Sequence, residues 1–347
     1  MDTLTHGLTG ALLGRALSNN VKKLKPRTFI LIGAFAAVFP DFDFLFILKS
    51  KAVYLEFHRS ITHSLFLLPI WALLISMFFS WLLRNKILLH KNWVDENTTN
   101  KEILRETYFL SCFSILSHIL SDLITSYGTM FLSPVFNTRF STGSMHLIDF
   151  WFSGTVLTGL LASWFIKKDS YLMARTFFLV LLGYVFLTQH IKYDAEQYAL
   201  LSLKAVHSDP SKLTIHSVPM AFSPYNWSIS AYDAEEELYY TSQFNLKEAK
   251  ILRNNVWQAI PRWGKYKNEH NSVKKAWLDP EFSMFRWFMT IPTLHSITKK
   301  DNQTCIYFQD LKFSSPDRDN PVVYGLCEST NGDKYRSHLV NTVDNPL

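Results

Sequence analysis

Residues 28–48 read TFILIGAFAAVFPDFDFLFIL, an apolar run interrupted by Pro40, Asp41 and Asp43. About 20 apolar residues in a helix span the hydrocarbon core of a bilayer, so this run predicts a membrane helix. Ionisable side chains are costly at that depth and usually serve a function. The run therefore predicts a membrane protein with a polar site, although Pro-Asp-Phe-Asp is also compatible with the end of one helix and the cap of the next.

Apolar runs recur throughout the first 192 residues, at 4–17, 64–83, 108–124, 150–166 and 176–188. The run 4–17 is short for a spanning helix, so whether it crosses the membrane stays open. The last two runs are compatible with a tight helical hairpin. We predict that residues 1–192 form an α-helical integral membrane bundle of five or six membrane helices.

Residues 193–347 have a different character. Short β-like runs, at 239–241, 305–308 and 322–324, are separated by clusters of Asn, Asp, Pro, Gly and Ser. This pattern predicts a small, mainly β, extramembrane domain. Its two cysteines, Cys305 and Cys327, are able to pair if the domain faces an oxidising compartment.

The distribution of basic residues predicts the topology. Most Lys and Arg of the N-terminal part lie in the loops at 18–27, 84–105 and 167–175, which the positive-inside rule assigns to the cytoplasm. The loops near 49–62 and 126–149, and everything after about residue 192, then lie outside. The net charge of +6 fits such basic loops, and no dense basic patch interleaved with aromatic residues indicates nucleic-acid binding.

Histidine and aspartate residues gather at the predicted outer ends of these segments. His118 and Asp122 are four residues apart, so on a helix they share one face. Taken singly, a histidine such as His118 is compatible with an ordinary core residue, and His58 and His63 with an interfacial position. Burying His118 and Asp122 unpaired would be costly, however. Together the segments predict one metal site, with the candidate ligands His6, Asp41, His58, His63, His118, Asp122 and Asp149, and with His146 close in sequence to the last of them.

Imidazole and carboxylate ligands together suit zinc, or alternatively manganese or iron. Sets of six or more such ligands hold two metal ions in enzymes that hydrolyse phosphate esters. We assign Asp43 as a candidate general base or as a residue that orients a ligand, and Arg59 as a candidate for binding a substrate oxyanion. Because the site lies at membrane depth, a lipid or a lipid-linked phosphoester is the natural substrate.

Several motifs resemble those of the YdjM-like family of bacterial inner-membrane metal-dependent hydrolases. They occur in the expected order and are MDTLTHG at 1–7, PDFD at 40–43, HRSITHS at 58–64, Ser117-His118 through Asp122 to TSYGT at 125–129, Arg139-Phe140 and Ile148-Asp149. Ser60 replaces a glycine that is common in the HR-x-x-TH motif. The resemblance implies a multi-pass protein of the bacterial inner membrane with hydrolase activity.

Two other functions account for the same residues. A divalent-metal or proton transporter would use them as a transit site, and this hypothesis predicts polar residues that continue toward the cytoplasmic side. A non-catalytic membrane interaction protein would use the metal structurally, with a closed coordination shell. The oligomeric state is not predicted by any of these patterns.

Overall fold

The computed structural model describes residues 1–19, 24–85, 93–95, 98–166, 169–248, 250–251, 257–300, 303–314, 320, 322–329 and 334–337. The chain divides into two compact units. One contains Met1–Leu45, Phe57–Lys192 and Pro219–Pro224, and the other contains Phe46–Glu56, Tyr193–Val218 and Tyr225–Leu347. The three basic loops that we predict to be cytoplasmic lie partly outside the described residues.

Helices dominate the chain before the first strand. In chain order they are α1 (Thr3–Leu17), α2 (Pro26–Val38), α3 (Lys51–Phe57), α4 (Leu68–Arg84), α5 (Asn100–Leu123), α6 (Phe150–Phe165) and α7 (Ser170–Leu203). The start of α5 has a full capping box, in which Thr99 and Glu102 satisfy each other's backbone N–H groups. Buried side chains of α2, α4 and α5 form one apolar core, with Phe29, Ile32, Ala72, Ile75, Leu110, Ile115 and Ile119 among its members.

Helices α1 and α2 approach each other closely because glycines line their crossing. A Cβ atom placed on Gly10 would lie 2.8 Å from the carbonyl carbon of Gly33, and one placed on Gly14 would lie 2.7 Å from that of Phe29. Any larger residue would force the backbones apart. The crossing therefore holds the start of α1 beside the C-terminal end of α2.

Pro40 ends α2 and leaves the Ala37 carbonyl available to accept a hydrogen bond from a side chain. From Phe39 to Leu48 the chain continues as a 3-10 helix, because Pro40 has no N–H to continue the α-helical ladder. In a 3-10 turn the donor to the Ala37 carbonyl would be the nitrogen of Pro40, which has no proton. His118 of α5 supplies a donor instead, with its Nδ1 2.6 Å from the Ala37 oxygen.

The prediction of five or six membrane helices is wrong. Among the described residues, two helices are long and apolar enough to cross a membrane, Pro26–Leu48 and Ser170–Leu203. A third span results if Val53–His63 and Leu68–Arg84, which meet at an 80° bend, are taken as one broken segment. The others fail because α6 is short, with 16 residues, and because α5 carries charged and polar residues along its 24 positions.

The later part of the chain forms two β-sheets, which agrees with the predicted β-rich region. Strands β1 (Thr214–Pro219), β2 (Asn226–Asp233), β3 (Leu238–Asn245) and β4 (Lys250–Ile251) are neighbours in that order, and β5 (Gln258–Pro261) pairs with β3. Helices α8 (His270–Leu278) and α9 (Ser283–Phe288) follow. The second sheet consists of β6 (Pro292–Lys300), β7 (Gln303–Asp310), β8 (Val323–Ser329) and β9 (Lys334–Ser337).

Aromatic packing and a disulfide hold the second sheet. Trp277 of α8 and Phe282 pack against Phe308 of β7, with ring centroids 5.1 Å from that of Phe308 in both cases. Cys305 and Cys327 lie directly opposite each other on β7 and β8 and form a disulfide. The pairing that the sequence left conditional is therefore present.

Candidate metal centre

Asp122, on the last turn of α5, is fully buried, and its two carboxylate oxygens contact different groups. Its Oδ1 atom accepts from the Met1 ammonium group, from Arg59 Nη2 at 3.0 Å, and lies 3.1 Å from His6 Nε2. Its Oδ2 atom faces two other histidines, His63 at 3.2 Å and His118 at 3.4 Å. One oxygen is thus held by cationic or donor groups, and the other points into a cluster of nitrogens.

Outer hydrogen bonds fix the tautomers of His63 and His118. The Ala37 carbonyl accepts from His118, so Nδ1 carries the proton and Nε2 carries a lone pair. The Thr62 hydroxyl donates to Asp43 Oδ2 over 3.3 Å and accepts from His63 Nδ1 over 2.9 Å. His63 Nε2 therefore carries a lone pair as well. This arrangement, with one ring nitrogen bonded outward and the other directed inward, is usual for metal-binding histidines.

Asp41, in the 3-10 segment after α2, completes the cluster in the same way. Its Oδ2 accepts from the Thr3 hydroxyl over 2.7 Å. Its Oδ1 lies 3.6 Å from His118 Nε2 and 3.9 Å from His63 Nε2. Each of the two carboxylates thus has one oxygen bonded to the protein and the other directed at the histidines.

The distances among these inward atoms match a coordination shell. The Nε2 atoms of His63 and His118 are 2.9 Å apart, and the distances from them to the Asp41 and Asp122 oxygens lie between 3.2 and 3.9 Å. In a tetrahedral site with metal–ligand distances of 2.0–2.1 Å, ligand atoms are about 3.3 Å apart. Five of the six pairwise distances among these four residues thus scatter around the value expected for a divalent ion.

A second group of four overlaps with the first. His6, Asp41, His118 and Asp122 each offer a ligand atom, and these atoms all lie within 4.8 Å of one another. The rings of His6 and His118 stack with centroids 3.6 Å apart. His6 and His63 thus both lie next to a shared core of Asp41, His118 and Asp122, and the five residues form what we call the metal cluster.

Orphaned polar atoms test whether a metal fits. Among the described residues, Asp122 Oδ2 and His6 Nδ1 are buried without a hydrogen-bond partner. The neighbours of Asp122 Oδ2 are nitrogens that also carry lone pairs, so acceptors converge with no proton to share. Leaving such groups unsatisfied costs about 1–3 kcal/mol each. A cation coordinated by Asp122 Oδ2 and the two histidine nitrogens beside it removes the cost at that oxygen, so the residues fit a metal.

The predicted ligand His58 lies outside both groups of four and is paired with Asp43. His58 Nδ1 donates to Asp43 Oδ1 over 2.9 Å, and the His58 side chain is 14% exposed, whereas Asp43 is buried. Asp43 also accepts from the backbone N–H of Arg59 over 2.8 Å. Asp43 therefore connects the His58 ring, the Arg59 backbone and, through Thr62, the metal cluster.

Arg59 is held in an unusual backbone conformation beside the cluster. Its φ of 61° lies in the left-handed region, which costs a non-glycine residue about 1–3 kcal/mol. Its N–H donates to Asp43, and its carbonyl accepts from Met130 over 2.9 Å. Its guanidinium contacts Asp122 and, over 3.2 Å, Thr125. The motif HRSITHS thus places His58, Arg59 and His63 through a strained turn rather than along one helix face.

Two sequence candidates are engaged elsewhere. Asp149 caps the start of α6, where its Oδ1 accepts from the Phe152 N–H over 2.8 Å and both oxygens accept from the Tyr184 hydroxyl. His146 bonds locally to the backbone of Ile148. Neither belongs to the metal cluster, so the predicted ligand role of Asp149 receives no support from the geometry.

Sequence reasoning missed the groups that orient the ligands. Thr3 and Thr62 hold Asp41 and His63, and the Ala37 carbonyl holds His118. The signal for both threonines was present, since each lies inside a motif that carries a histidine, MDTLTH and ITH. The role of the Ala37 carbonyl follows from Pro40 three residues later.

Comparison with known proteins identifies the family. The family model described as YdjM inner membrane protein matches residues 1–193, which is more than half of the chain. The chain belongs to the YdjM inner membrane protein family. Neither a search of curated proteins nor one of solved structures found a match. The family resemblance predicted from the sequence motifs is confirmed, and the chain is a membrane protein.

Membership in the YdjM family connects the match to the site. The matched residues include each member of the metal cluster, from His6 to Asp122. They end before the β-rich region, whose first strand, β1, begins at Thr214. The part of the chain shared with the family is therefore the part that carries the candidate metal centre.

Proposed function

We propose that this YdjM-family protein is a membrane-embedded metal-dependent hydrolase that acts on a phosphoester or lipid-linked substrate. One observation carries the proposal. Each inward nitrogen and carboxylate oxygen of His63, His118, Asp41 and Asp122 belongs to a side chain whose other polar atom is bonded outward. Ligands held in this way are typical of functional metal sites, because the side chains need little reorganisation when the metal ion binds.

The proposed cofactor is one or two divalent ions, with zinc first and manganese or iron as alternatives. Mixed imidazole and carboxylate ligands suit all three. When bound, such an ion lowers the pKa of a water molecule and polarises a phosphoryl oxygen. His63, His118, Asp41, Asp122 and His6 are the residues that would hold it.

We assign to His58 the role of general acid or base in the proposed hydrolysis. Asp43 holds the His58 ring through Nδ1, which leaves Nε2 as the ring atom directed away from that carboxylate. The ring is partly exposed beside a buried metal cluster, so a substrate is able to reach it. A histidine oriented by a carboxylate is a common general acid or base.

A turnover assay with a matched control tests the hydrolase proposal. The full-length protein, loaded with zinc, manganese or iron in detergent, is assayed with bis(p-nitrophenyl) phosphate, p-nitrophenyl phosphate and phosphatidic acid. We expect turnover that falls about 100-fold or more in His118→Ala and stays unchanged in His146→Ala, a histidine outside the metal cluster. No turnover by any metal-loaded form, or full turnover by His118→Ala, would contradict the proposal.

The disulfide supports a location for the β-rich region. We place Cys305 and Cys327 on the extracytoplasmic side of a multi-pass inner-membrane protein, because structural disulfides persist in oxidising compartments. Alkylation of cysteines in intact cells and in lysates, with and without reduction, tests this placement. Labelling of both cysteines in cells without a reductant would contradict it.

One observation favours a transporter as the second candidate. The buried face of α5 that carries His118 continues toward its N-terminus with Ser114, Ser111 and Thr107, each fully buried. Among the described residues, the hydroxyls of Ser111 and Ser114 have no hydrogen-bond partner. Metal flux into proteoliposomes that is abolished in Ser111→Ala/Ser114→Ala would favour transport, whereas metal-dependent turnover without flux would exclude it.

A further inference from the structure

Two arginines close to the metal cluster share one aromatic ring. The guanidinium carbon of Arg59 lies 4.8 Å from the centroid of the Tyr127 ring, and that of Arg139 lies 5.1 Å from the same centroid. The His58 ring contacts Tyr127 from another side, with centroids 5.4 Å apart. Two cations are therefore held close together next to a site that already attracts a metal cation.

The two arginines differ in burial and in the residues that they contact. Arg59 is 2% exposed and is bound to Asp122 and Thr125, so its position is fixed by the metal cluster. Arg139 lies in the loop between α5 and α6 and is only partly buried, with its Nη2 donating to the His58 carbonyl over 3.1 Å. Arg139 thus lies between the buried ligands and the exterior of this unit.

Exposure indicates the direction from which a ligand arrives. His63, His118 and Asp122 are at most 1% exposed. His58, Tyr127 and Arg139 are intermediate in exposure. The three partly exposed residues therefore lie nearer the surface of this unit than the buried metal cluster does, and a ligand that contacts both groups would meet Arg139 next to the cluster.

The charges at the site favour an anion once a metal is bound. Three carboxylates, those of Asp41, Asp43 and Asp122, lie beside two guanidiniums and the Met1 ammonium group, so these groups carry no net charge together. A single divalent ion would make the site net positive, and a second ion would raise that charge further. Guanidinium groups bind phosphate oxygens through two parallel N–H donors, which matches a tetrahedral phosphate better than a planar or neutral ligand.

We propose that Arg139, positioned by Tyr127 and assisted by Arg59, is the receptor for the phosphate group of an anionic ester at this site. The proposal rests on the proposed function for its metal, and it narrows the substrate class to phosphate esters that carry a negative charge. Such a phosphate belongs either to a lipid headgroup or to a soluble ester. Arg139 is then a specificity-determining residue, to which the sequence analysis gave no role beyond its place in a family motif.

Phosphate binding to the intact protein tests the proposal without requiring turnover. Orthophosphate is titrated calorimetrically into metal-loaded, detergent-solubilised wild type, Arg139→Met and Arg139→Lys, and metal content is measured in each. We expect the dissociation constant to rise about 10-fold or more in Arg139→Met, because a charged hydrogen-bonding group is lost, and less in Arg139→Lys, which keeps the charge. Metal content is expected to stay at the wild-type value.

Arg175 provides the matched control. It also stacks on a tyrosine, with its guanidinium carbon 5.2 Å from the Tyr171 centroid, and its Nε donates to the Ala16 carbonyl. Arg175→Met is expected to bind orthophosphate as the wild type does. Equal binding by Arg139→Met and wild type, or loss of metal from Arg139→Met, would overturn the proposal.

A second arm separates the two sources of phosphate and the two proposals. Displacement of orthophosphate by phosphatidic acid in nanodiscs, but not by diacylglycerol, assigns the receptor to a lipid headgroup, whereas no displacement assigns it to a soluble ester. Wild type that binds no metal yet binds orthophosphate through Arg139 would refute the hydrolase and leave the receptor standing. Wild type that binds metal but no orthophosphate would refute the receptor alone.

Discussion

Replacing Gly10 with alanine perturbs the metal cluster without altering any of its residues. The new Cβ would overlap the carbonyl oxygen of Gly33 and would lie 2.8 Å from its carbonyl carbon, whereas ordinary contacts begin at 3.4 Å. The carbon alone requires α1 to move by about 0.6 Å, and the oxygen requires more. His6 lies on the same face of α1, one turn earlier. Metal–ligand distances tolerate only about 0.2 Å, so His6 leaves coordination range.

Metal affinity and thermal stability are the assay for Gly10→Ala. We expect a loss of about 1–3 kcal/mol in unfolding free energy, as is usual for overpacking, together with weaker metal binding in a competition titration. Gly154→Ala and Gly183→Ala are matched controls, because a Cβ at either helical position meets nothing within 4 Å. If Gly10→Ala binds metal as tightly as these controls, the close crossing of α1 and α2 does not position His6 and the reasoning is refuted.

Three further substitutions test the residues that orient the metal cluster and the stability of the β-rich region. Asp43→Asn is expected to weaken metal binding about 10–100-fold in a chelator competition, because Asp43 orients His63 through Thr62; unchanged affinity would contradict this. Asp310→Ala removes a buried acceptor of three backbone N–H groups and is expected to cost about 3 kcal/mol or more in denaturant titration, unlike the exposed Glu328→Gln. Burial acts to raise the pKa of Asp233, but hydrogen bonds, including those from the Glu236 N–H and His207, hold it below its usual value. The pKa of Asp233 is therefore lower in the folded than in the unfolded protein, and its carboxylate stabilises the fold only where it is ionised. The difference in melting temperature between wild type and Asp233→Asn is expected to be constant near neutral pH and to narrow below about pH 4. A constant difference at every pH would contradict this prediction.

Local spacing made part of the site predictable. His118 and Asp122 are four residues apart on a helix, and both reach the metal cluster from one face of α5. Asp41 follows Pro40, and the end of a helix at proline directs the next carboxylate away from the helix ladder. The structure brings these residues close together, as the sequence predicted, because their local geometry is set by residues within about one turn of each other, and their role as metal ligands stays a prediction.

Other residues depended on distant contacts that spacing does not report. Asp149 and Asp41 look alike in sequence, yet Asp149 caps α6 and receives the hydroxyl of Tyr184, which comes from another helix. His58 and His63 share one motif, but the positive φ of Arg59 turns the chain between them, so only His63 faces Asp122. A sequence pattern does not distinguish a cap from a ligand.

The number of membrane helices was overestimated for a physical reason. Helix α5 contains apolar residues but buries its polar face, including His118, against other helices rather than in lipid. Counting apolar runs treats such a helix as a span. The buried polar face of α5, which made the number of membrane helices too high, also carries two residues of the metal cluster.

The central claim is that the metal cluster binds a divalent ion, and elemental analysis of the purified, detergent-solubilised protein tests it most directly. The comparison is between wild type and His118→Ala/Asp122→Ala, with helical content checked by circular dichroism. We predict stoichiometric zinc, manganese or iron in the wild type and its loss in a double variant that still folds. No bound metal in the wild type, even after reconstitution with each of the three ions, would contradict the account.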